Sequence, residues 1–187
     1  KNPILQRLLM VLASLALYFI SLELTKLLPQ LLIHDNWIYL VFLPAGSRLL
    51  SIMLFGIWGA IGDCIALFIS AMNFFPEQQM IVWLTFATTS SLTSLIAIRL
   101  TMKQLKINLD LSNLQYWQIP ALSVISNLAH AFVTRLTLSH FIQKHYEFYI
   151  RDSLAMALGD FLGTMLIIGA VTVDRKSTRL NSSHLGI

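Results

Sequence analysis

The residues of this sequence that could carry chemistry are charged side chains within otherwise apolar stretches. Arg48, Asp63 and Asp160 each interrupt a long apolar run, and both aspartates end an Ala-x-Gly-Asp segment. Charges in a lipid-buried helix are costly, so they usually face a bundle interior, a cavity or one another. The aspartates are therefore expected either to bind a cation or a proton, or to act as counter-ions of Arg48 and Arg135. The first pairs to expect are Arg48 with Asp63 and Arg48 with Asp160.

Polar side chains recur along the fifth apolar segment. Ser123, Asn127, His130 and Thr134 follow one another at intervals of four, three and four residues, which places them on one face of a helix. One interpretation is a wet ligand cavity, in which His130 can titrate near neutral pH. The other is hydrogen bonding between helices, which is favoured because such bonds are common in membrane bundles.

A proline and several small residues mark further candidate positions. Pro44 and Gly46 are expected to break the second apolar segment near its middle, where freed carbonyl groups can coordinate a ligand or be satisfied by neighbouring helices. The candidate ligand-binding residues are thus Pro44, Gly46, Arg48, Asp63, Asn127, His130 and Asp160. Small residues let helices approach closely, and those expected to serve helix packing are Gly56, Gly59, Gly62, Ala155, Gly159 and Gly163.

The composition predicts helices that lie in lipid. Hydrophobic residues make up 56% of the 187-residue chain and the mean hydropathy is +0.70, well above the average for a soluble domain. A helix needs about 20 apolar residues to cross a bilayer. We therefore predict an all-α, polytopic transmembrane helical bundle within residues 1–173. Six membrane-spanning helices are expected, near residues 8–28, 37–55, 57–75, 80–98, 119–138 and 153–173.

Several functional classes lack any supporting motif. The sequence has no phosphate-binding loop, dinucleotide fingerprint, nucleophile elbow or metal-spaced His/Cys cluster, and its loops are too short to hold a catalytic domain. We expect no enzyme activity, no catalytic residue, no cofactor and no metal. The pI is about 9.4, but the basic residues form no aromatic-interleaved patch, so no nucleic-acid partner is expected.

The two ends of the chain lead to separate expectations. Asp174 to His184 reads DRKSTRLNSSH, which resembles the in-frame translation of a sequencing-library adapter, so residues 174–187 are expected to be a non-native tail. The membrane domain would then be cut before any cytoplasmic domain that follows Val173. Five basic residues fall in loops on the side of the N-terminus and three on the other side, which predicts a cytoplasmic N-terminus.

Two motifs resemble those of the bacterial integral membrane sensor domains of the MASE type. FLPAG, ending at Gly46 and followed by an apolar helix and a glycine-rich turn, resembles their early proline-small-glycine motif. GDFLG, from Gly159 to Gly163, is similar to their Gly-Asp-x-x-Gly element in a late helix. The stretch from Leu109 to Leu114 before the fifth helix also fits. The chain differs from the family in having Arg48 where an apolar residue is usual, and in having fewer expected helices.

The resemblance implies a sensory input domain in a bacterial inner membrane. Its expected partners are the lipid bilayer, a small-molecule signal, and a cytoplasmic effector domain or signalling partner such as a histidine kinase or diguanylate cyclase. The alternative is a small-solute transporter component, such as a six-helix substrate-binding subunit. Chain length, the polar face of the fifth helix and the intramembrane charges suggest that alternative.

Overall fold

The fold is a bundle of helices, as the sequence predicts. The computed structural model describes residues 2–28, 33–35, 38–141 and 150–184. Within these ranges the chain forms six helices: α1 Pro3–Lys26, α2 Leu43–Phe55, α3 Ile57–Phe74, α4 Met80–Gln104, α5 Gln118–Phe141 and α6 Ile150–His184. Two short strands, β1 Ile33–Asp35 and β2 Ile38–Tyr39, pair antiparallel between α1 and α2.

Five of the described helices are long and apolar enough to cross a bilayer. They are α1, α3, α4, α5 and the Ile150–Ala170 part of α6, whereas α2 is shorter. Their outer surfaces are apolar: Leu5, Leu9 and Leu12 of α1 are all at least half exposed. The interior instead holds many small polar side chains, such as Ser90 and Ser123, which are fully buried. This inverted distribution is what a bundle surrounded by lipid requires.

Buried hydroxyl groups are satisfied largely within their own helices. Ser14 donates to the carbonyl of Met10 at 2.9 Å and Thr25 to that of Ser21 at 2.8 Å. Such bonds to the carbonyl one turn earlier allow serine and threonine to lie in a membrane helix without an unsatisfied polar group.

The central element of the bundle is α2. The other helices contact one another in the order α1, α3, α4, α5, α6, and α2 contacts α1, α3, α4 and α6. Every residue from Leu43 to Leu49 is buried. Helices α1 and α3 begin at the same end of the bundle, where the Arg7 guanidinium lies 5.2 Å from the centre of the Trp58 ring.

The start of α2 differs from the prediction. The expected helix 37–55, broken at Pro44, is instead a helix that begins at Leu43 with Pro44 in its first turn. Proline is favoured there, because the first-turn amide groups have no partner within the helix. Phe42 is extended, with φ −113° and ψ 93°, and Ile38–Tyr39 is a strand. Trp37, the predicted first residue, lies outside the described residues.

Other helix ends extend beyond the predicted ones. Helix α1 starts at Pro3 rather than residue 8, because Asn2 caps it through a 3.1 Å bond from the amide of Ile4 to its side-chain oxygen. Helix α6 runs past Val173 to His184. No proline or glycine occurs from residue 170 to residue 185 to end it. Residues 185–187, the end of the expected non-native tail, lie outside the described ranges.

The connection between α4 and α5 is held by its own polar side chains. Asp110 accepts hydrogen bonds from the amide and the hydroxyl of Ser112 at 3.1 and 2.8 Å. Asn113 accepts from the Asn108 amide at 2.8 Å and donates to the Lys106 carbonyl at 2.7 Å. These bonds stabilise an ordered turn outside the apolar spans, and the hydrogen bonds from Ser112 lower the pKa of the Asp110 carboxyl group.

Candidate functional site

A segment of non-helical backbone, residues 39–42, leads into α2 and packs on α6. The amide of Phe42 donates to the carbonyl of Gly159 at 3.0 Å. A Cβ atom at Gly159 would collide with the Tyr39 carbonyl oxygen, and one at Gly163 with the Phe42 carbonyl oxygen. Gly159 and Gly163 were expected to pack helix against helix, but they face this non-helical segment. Ala155, the third member of that predicted face, is only half-buried.

This non-helical segment compensates for the shortness of α2. Thirteen residues of helix span about 20 Å, less than the roughly 30 Å hydrocarbon core of a bilayer. Gly159 is nine residues after Ile150, the first residue of α6, or about 14 Å along that helix. Residues 39–42 therefore lie at a depth where non-helical backbone is tolerated only when it is buried in protein or lines a cavity. At the junction with α2, the Leu43 amide donates to the Thr25 hydroxyl at 3.2 Å, which reduces the cost of burying backbone groups here.

Three charged or titratable side chains meet where α2, α5 and α6 converge. The Arg48 guanidinium donates through Nη2 to Oδ2 of Asp160 at 3.0 Å, and its Nη1 lies 2.7 Å from Nε2 of His130. Nδ1 of His130 lies 3.1 Å from the same Oδ2. Each of the three residues is at most 3% exposed. Of the two pairs expected for Arg48, the one with Asp160 is present.

The donor and acceptor roles in this cluster follow from chemistry. A guanidinium group only donates hydrogen bonds, so Nε2 of His130 must accept. The imidazole proton is then on Nδ1 and is donated to Asp160, and the ring is neutral. Asp160 accepts both bonds on one oxygen, and the adjacent Arg48 cation favours the carboxylate form of its side chain. The cluster of Arg48, His130 and Asp160 thus has one positive and one negative charge and is neutral overall.

Asp63 of α3 is buried close by but is not part of that hydrogen-bonded cluster. Its exposed fraction is 1%, and neither carboxyl oxygen has a hydrogen-bond partner among the described residues. Arg48 and Asp160 act on it electrostatically, without a direct contact. The second expected pair, Arg48 with Asp63, is therefore not formed.

The polar face predicted for α5 is present and faces the interior. Asn127 donates to Ser123 at 3.0 Å and to Thr164 of α6 at 3.3 Å. The hydroxyls of Thr134 and Ser90 of α4 are 3.0 Å apart. Ser123, Asn127 and Thr134 thus make the interhelical and intrahelical bonds of the favoured interpretation, while His130 also faces a cavity.

The cavity lies between the charged cluster and a set of aromatic side chains. Its volume is about 90 Å³, smaller than the roughly 150 Å³ of an apolar cavity that holds benzene. Arg48, His130, Thr134 and Arg135 supply polar groups, and the aromatic walls are Tyr18, Tyr39, Phe42, Phe74, Phe75 and Phe86. Of the candidate ligand-binding residues, Arg48 and His130 line the cavity, whereas Pro44, Gly46, Asp63, Asn127 and Asp160 are not among its lining residues.

Arg135, which also lines the cavity, belongs to a second buried ion pair that the sequence analysis did not identify. Nη2 of Arg135 donates to Oδ2 of Asp152 at 3.1 Å, and both side chains are 8% exposed. The exposed Arg151 lies 3.5 Å from the other carboxylate oxygen. Arg135 lies in the middle of an apolar segment, and that position was the available signal that it has a buried partner. Asp152 went unrecognised because it was assigned to the loop before the sixth segment.

Pro44 and Gly46 do not present free backbone groups to a ligand. The Pro44 carbonyl accepts a 2.9 Å hydrogen bond from the Ser47 hydroxyl. A Cβ atom at Gly46 would lie 2.8 Å from the Cβ atom of Ile167, so this glycine lets α6 approach α2. The expectation that a break at Pro44 frees carbonyl groups is therefore wrong, because the proline begins the helix.

Of the three glycines near the α2–α3 turn, Gly56 forms the turn itself, and Gly59 and Gly62 lie at close contacts between helices. Gly56 joins the helices with φ +60°, a left-handed conformation that favours glycine. Gly59 lies against the backbone of Ser51 in α2. A Cβ atom at Gly62 would lie 2.6 Å from Cβ of Ser14 in α1. Helix α3 therefore packs closely against both α1 and α2.

These features define the class of the protein. It is a multi-pass helical membrane protein with a buried charged cluster beside a small aromatic cavity. Among the residues that the structure describes, no group of three or more His, Cys, Asp or Glu side chains is arranged to hold a metal ion. Comparison with models of protein families, with curated proteins and with solved structures finds no match.

Proposed function

We propose that this chain is an integral membrane signal-input domain that binds a small molecule in the aromatic cavity. The observation that carries the proposal is the Arg48–His130–Asp160 cluster, which forms part of the cavity wall and joins three helices. The resemblance of FLPAG and GDFLG to sensor domains of the MASE type supports the same function.

The cluster connects the cavity to α6. Arg48 and His130 line the cavity, and both contact the carboxylate of Asp160 in α6. A ligand that accepts a hydrogen bond from Arg48 or His130 competes with Asp160 and changes how α6 is held. A ligand shifts an equilibrium only by its difference in affinity for the two states, and this competition supplies such a difference. The apolar span of α6 ends at Ala170 and the helix continues through Val173, so a shift in α6 is carried to the membrane surface.

The size and chemistry of the cavity restrict the ligand. With a volume of about 90 Å³, it accepts a molecule of a few non-hydrogen atoms, or one end of a larger molecule. Aromatic and aliphatic side chains together form most of the wall, which favours an apolar body. Arg48 and His130 favour a polar acceptor group at one end. The signal we propose is thus a small amphipathic molecule that enters from the lipid bilayer.

The proposed output lies on the cytoplasmic side of a bacterial inner membrane. The distribution of basic residues in loops supports a cytoplasmic N-terminus, and an even number of passes returns α6 to the same side. A histidine kinase or diguanylate cyclase domain is the effector that the resemblance implies. Sequencing the native gene past codon 173 tests this: an in-frame effector domain is expected. An immediate stop codon with no signalling gene nearby would contradict it.

Ligand binding can be tested on the purified protein in lipid nanodiscs. Small amphipathic molecules are screened for an increase in the thermal unfolding temperature, since a ligand that binds only the folded state stabilises it. Met156→Trp should abolish the increase, because Met156 lines the cavity. Leu158→Trp is the matched control, as that side chain is 51% exposed on the same helix. An increase that survives Met156→Trp would place binding elsewhere.

A small-solute transporter component is the second candidate, and one observation favours it. Transporter binding sites are often built where helices meet unwound backbone near the bilayer midplane, and the non-helical residues 39–42 that lead into the short α2 resemble such backbone. Uptake of candidate solutes in a deletion strain tests it. Uptake that depends on the gene and is lost with His130→Phe would favour transport, whereas unchanged uptake would leave signal input as the function.

A further inference from the structure

Asp63 is the buried acidic group that the charged cluster leaves without a partner. Arg48 and Asp160 already balance each other, and His130 is neutral because its Nε2 accepts from Arg48. A charged Asp63 would therefore give this region an excess negative charge. Both its oxygens are buried with no hydrogen-bond partner among the described residues. An isolated carboxylate in such surroundings neutralises rather than remaining charged.

We propose that Asp63 is a proton-binding site within the membrane, and that the structure represents its protonated state. A carboxylic acid at this position makes the charges of the region sum to zero. It also removes the cost of burying an uncompensated carboxylate. The inference holds for a sensor and for a transporter alike, so it does not depend on the function proposed above.

The groups around Asp63 from each neighbouring helix are consistent with a proton. Helix α4 contributes the hydroxyl of Ser91, which donates to the carbonyl of Ala60 at 2.7 Å, one turn before Asp63. The described titratable or charged groups that interact with Asp63 are Tyr18 of α1, Arg48 of α2, Cys64 of α3 itself and Asp160 of α6. Arg48 is the single fixed positive charge in that set, and Asp160 already holds it.

Loss of the proton would change the pairing of Arg48. When the proton leaves for water, Asp63 becomes a carboxylate and can accept a hydrogen bond from the Arg48 guanidinium. It then competes with Asp160, so Arg48 would be drawn from α6 toward α3. Rising pH therefore weakens the bond between α2 and α6, and falling pH restores the arrangement seen here.

Infrared difference spectroscopy of the protein in nanodiscs tests the proposal. The wild-type spectrum should contain the carbonyl stretch of a buried protonated carboxyl group at mildly acidic pH. That band should be lost as the pH is raised. It should be absent from Asp63→Asn, return at a shifted frequency in Asp63→Glu, and persist in Asp152→Asn, which alters a carboxylate that is already paired.

Several outcomes would overturn the inference. Absence of this carbonyl band from the wild-type spectrum at every pH from mildly acidic to alkaline would by itself refute the inference. A band unchanged in Asp63→Asn would assign the proton to another group. Failure of Asp63→Asn to fold would also contradict it, because asparagine reproduces the size and neutrality of the protonated acid. Stabilisation of the wild type by Na⁺ relative to choline, lost in Asp63→Asn, would indicate a bound metal cation instead.

Discussion

The two Ala-x-Gly-Asp segments have the same local sequence and different surroundings. In α6, Gly159 lies against the backbone of residues 39–42, and Asp160 accepts hydrogen bonds from Arg48 and His130. In α3, Gly62 lies against α1, and Asp63 has no hydrogen-bond partner among the described side chains. One aspartate is thus a structural counter-ion and the other a candidate proton site.

The two aspartates differ in their surroundings because the glycine before each one packs against a different part of the chain. Gly159 packs against the non-helical residues 39–42, which places the start of α2, and hence Arg48, beside Asp160. Gly62 admits α1, whose side chains near Asp63 include Tyr18 but no cation. A local motif therefore sets the depth and burial of an acidic side chain, whereas its neighbours decide whether it carries a charge.

The largest expected effect separates these two aspartates directly. Asp160→Asn removes the counter-ion of a buried arginine and should cost about 3–5 kcal/mol of folding free energy. Asp63→Asn should have a much smaller effect, because it replaces a neutral group by another of the same size. Thermal unfolding of both variants in nanodiscs at mildly acidic pH checks the order. Equal losses would show that the two aspartates are in the same state.

The next effect concerns the close approach at Gly159. Gly159→Ala would push a methyl group into the Tyr39 carbonyl oxygen, and overpacking of this kind costs about 1–3 kcal/mol. Gly169→Ala is the matched control on the same helix, since a Cβ atom there meets no described atom within 4 Å. The control should be neutral or slightly stabilising. Equal unfolding temperatures for the two variants would contradict this packing of residues 39–42.

A smaller effect is expected where α4 supports the Asp63 segment. Ser91→Ala removes the hydrogen bond to the Ala60 carbonyl, and interhelical bonds in membranes are worth about 0.6 kcal/mol on average. Thr85→Ala serves as the control, because its exposed hydroxyl bonds only to its own helix at Ile81. A loss with Thr85→Ala as large as that with Ser91→Ala would show that the contact with α3 adds nothing.

The smallest effect concerns a carboxylate outside the membrane. Ser112→Ala removes the hydroxyl bond that lowers the pKa of Asp110, so that pKa should rise toward its ordinary value. Because the Asp110 pKa is lowered in the folded state, its contribution to stability is present above the ordinary pKa. That contribution is lost as the pH falls through the lowered value. An NMR titration of Asp110 measures the change, and an unmoved pKa would mean that other bonds dominate.

Sequence alone was sufficient for most of the fold and for the residues of the charged cluster. Apolar length predicted six membrane-spanning helices, and five of the six described helices are long enough to cross a bilayer, whereas α2 is shorter. The cost of charge in lipid singled out Arg48, Asp63 and Asp160. The α5 periodicity placed His130 on a buried face. The start of α2 was not found, because Pro44 is compatible with either a break in a helix or the beginning of one. The partner of Arg135 was not found, because Asp152 lies at the edge of an apolar segment.

Hydrophobicity and helical periodicity are properties of a segment by itself, so the sequence by itself determined that helices lie in lipid and which polar side chains face inward. Pairing depends on which helices become neighbours, and that is decided by close approaches between segments distant in the chain. Only the tertiary structure, therefore, assigned Arg48 to Asp160, directed Gly159 and Gly163 to the non-helical residues 39–42, and left Asp63 without a hydrogen-bond partner among the described residues.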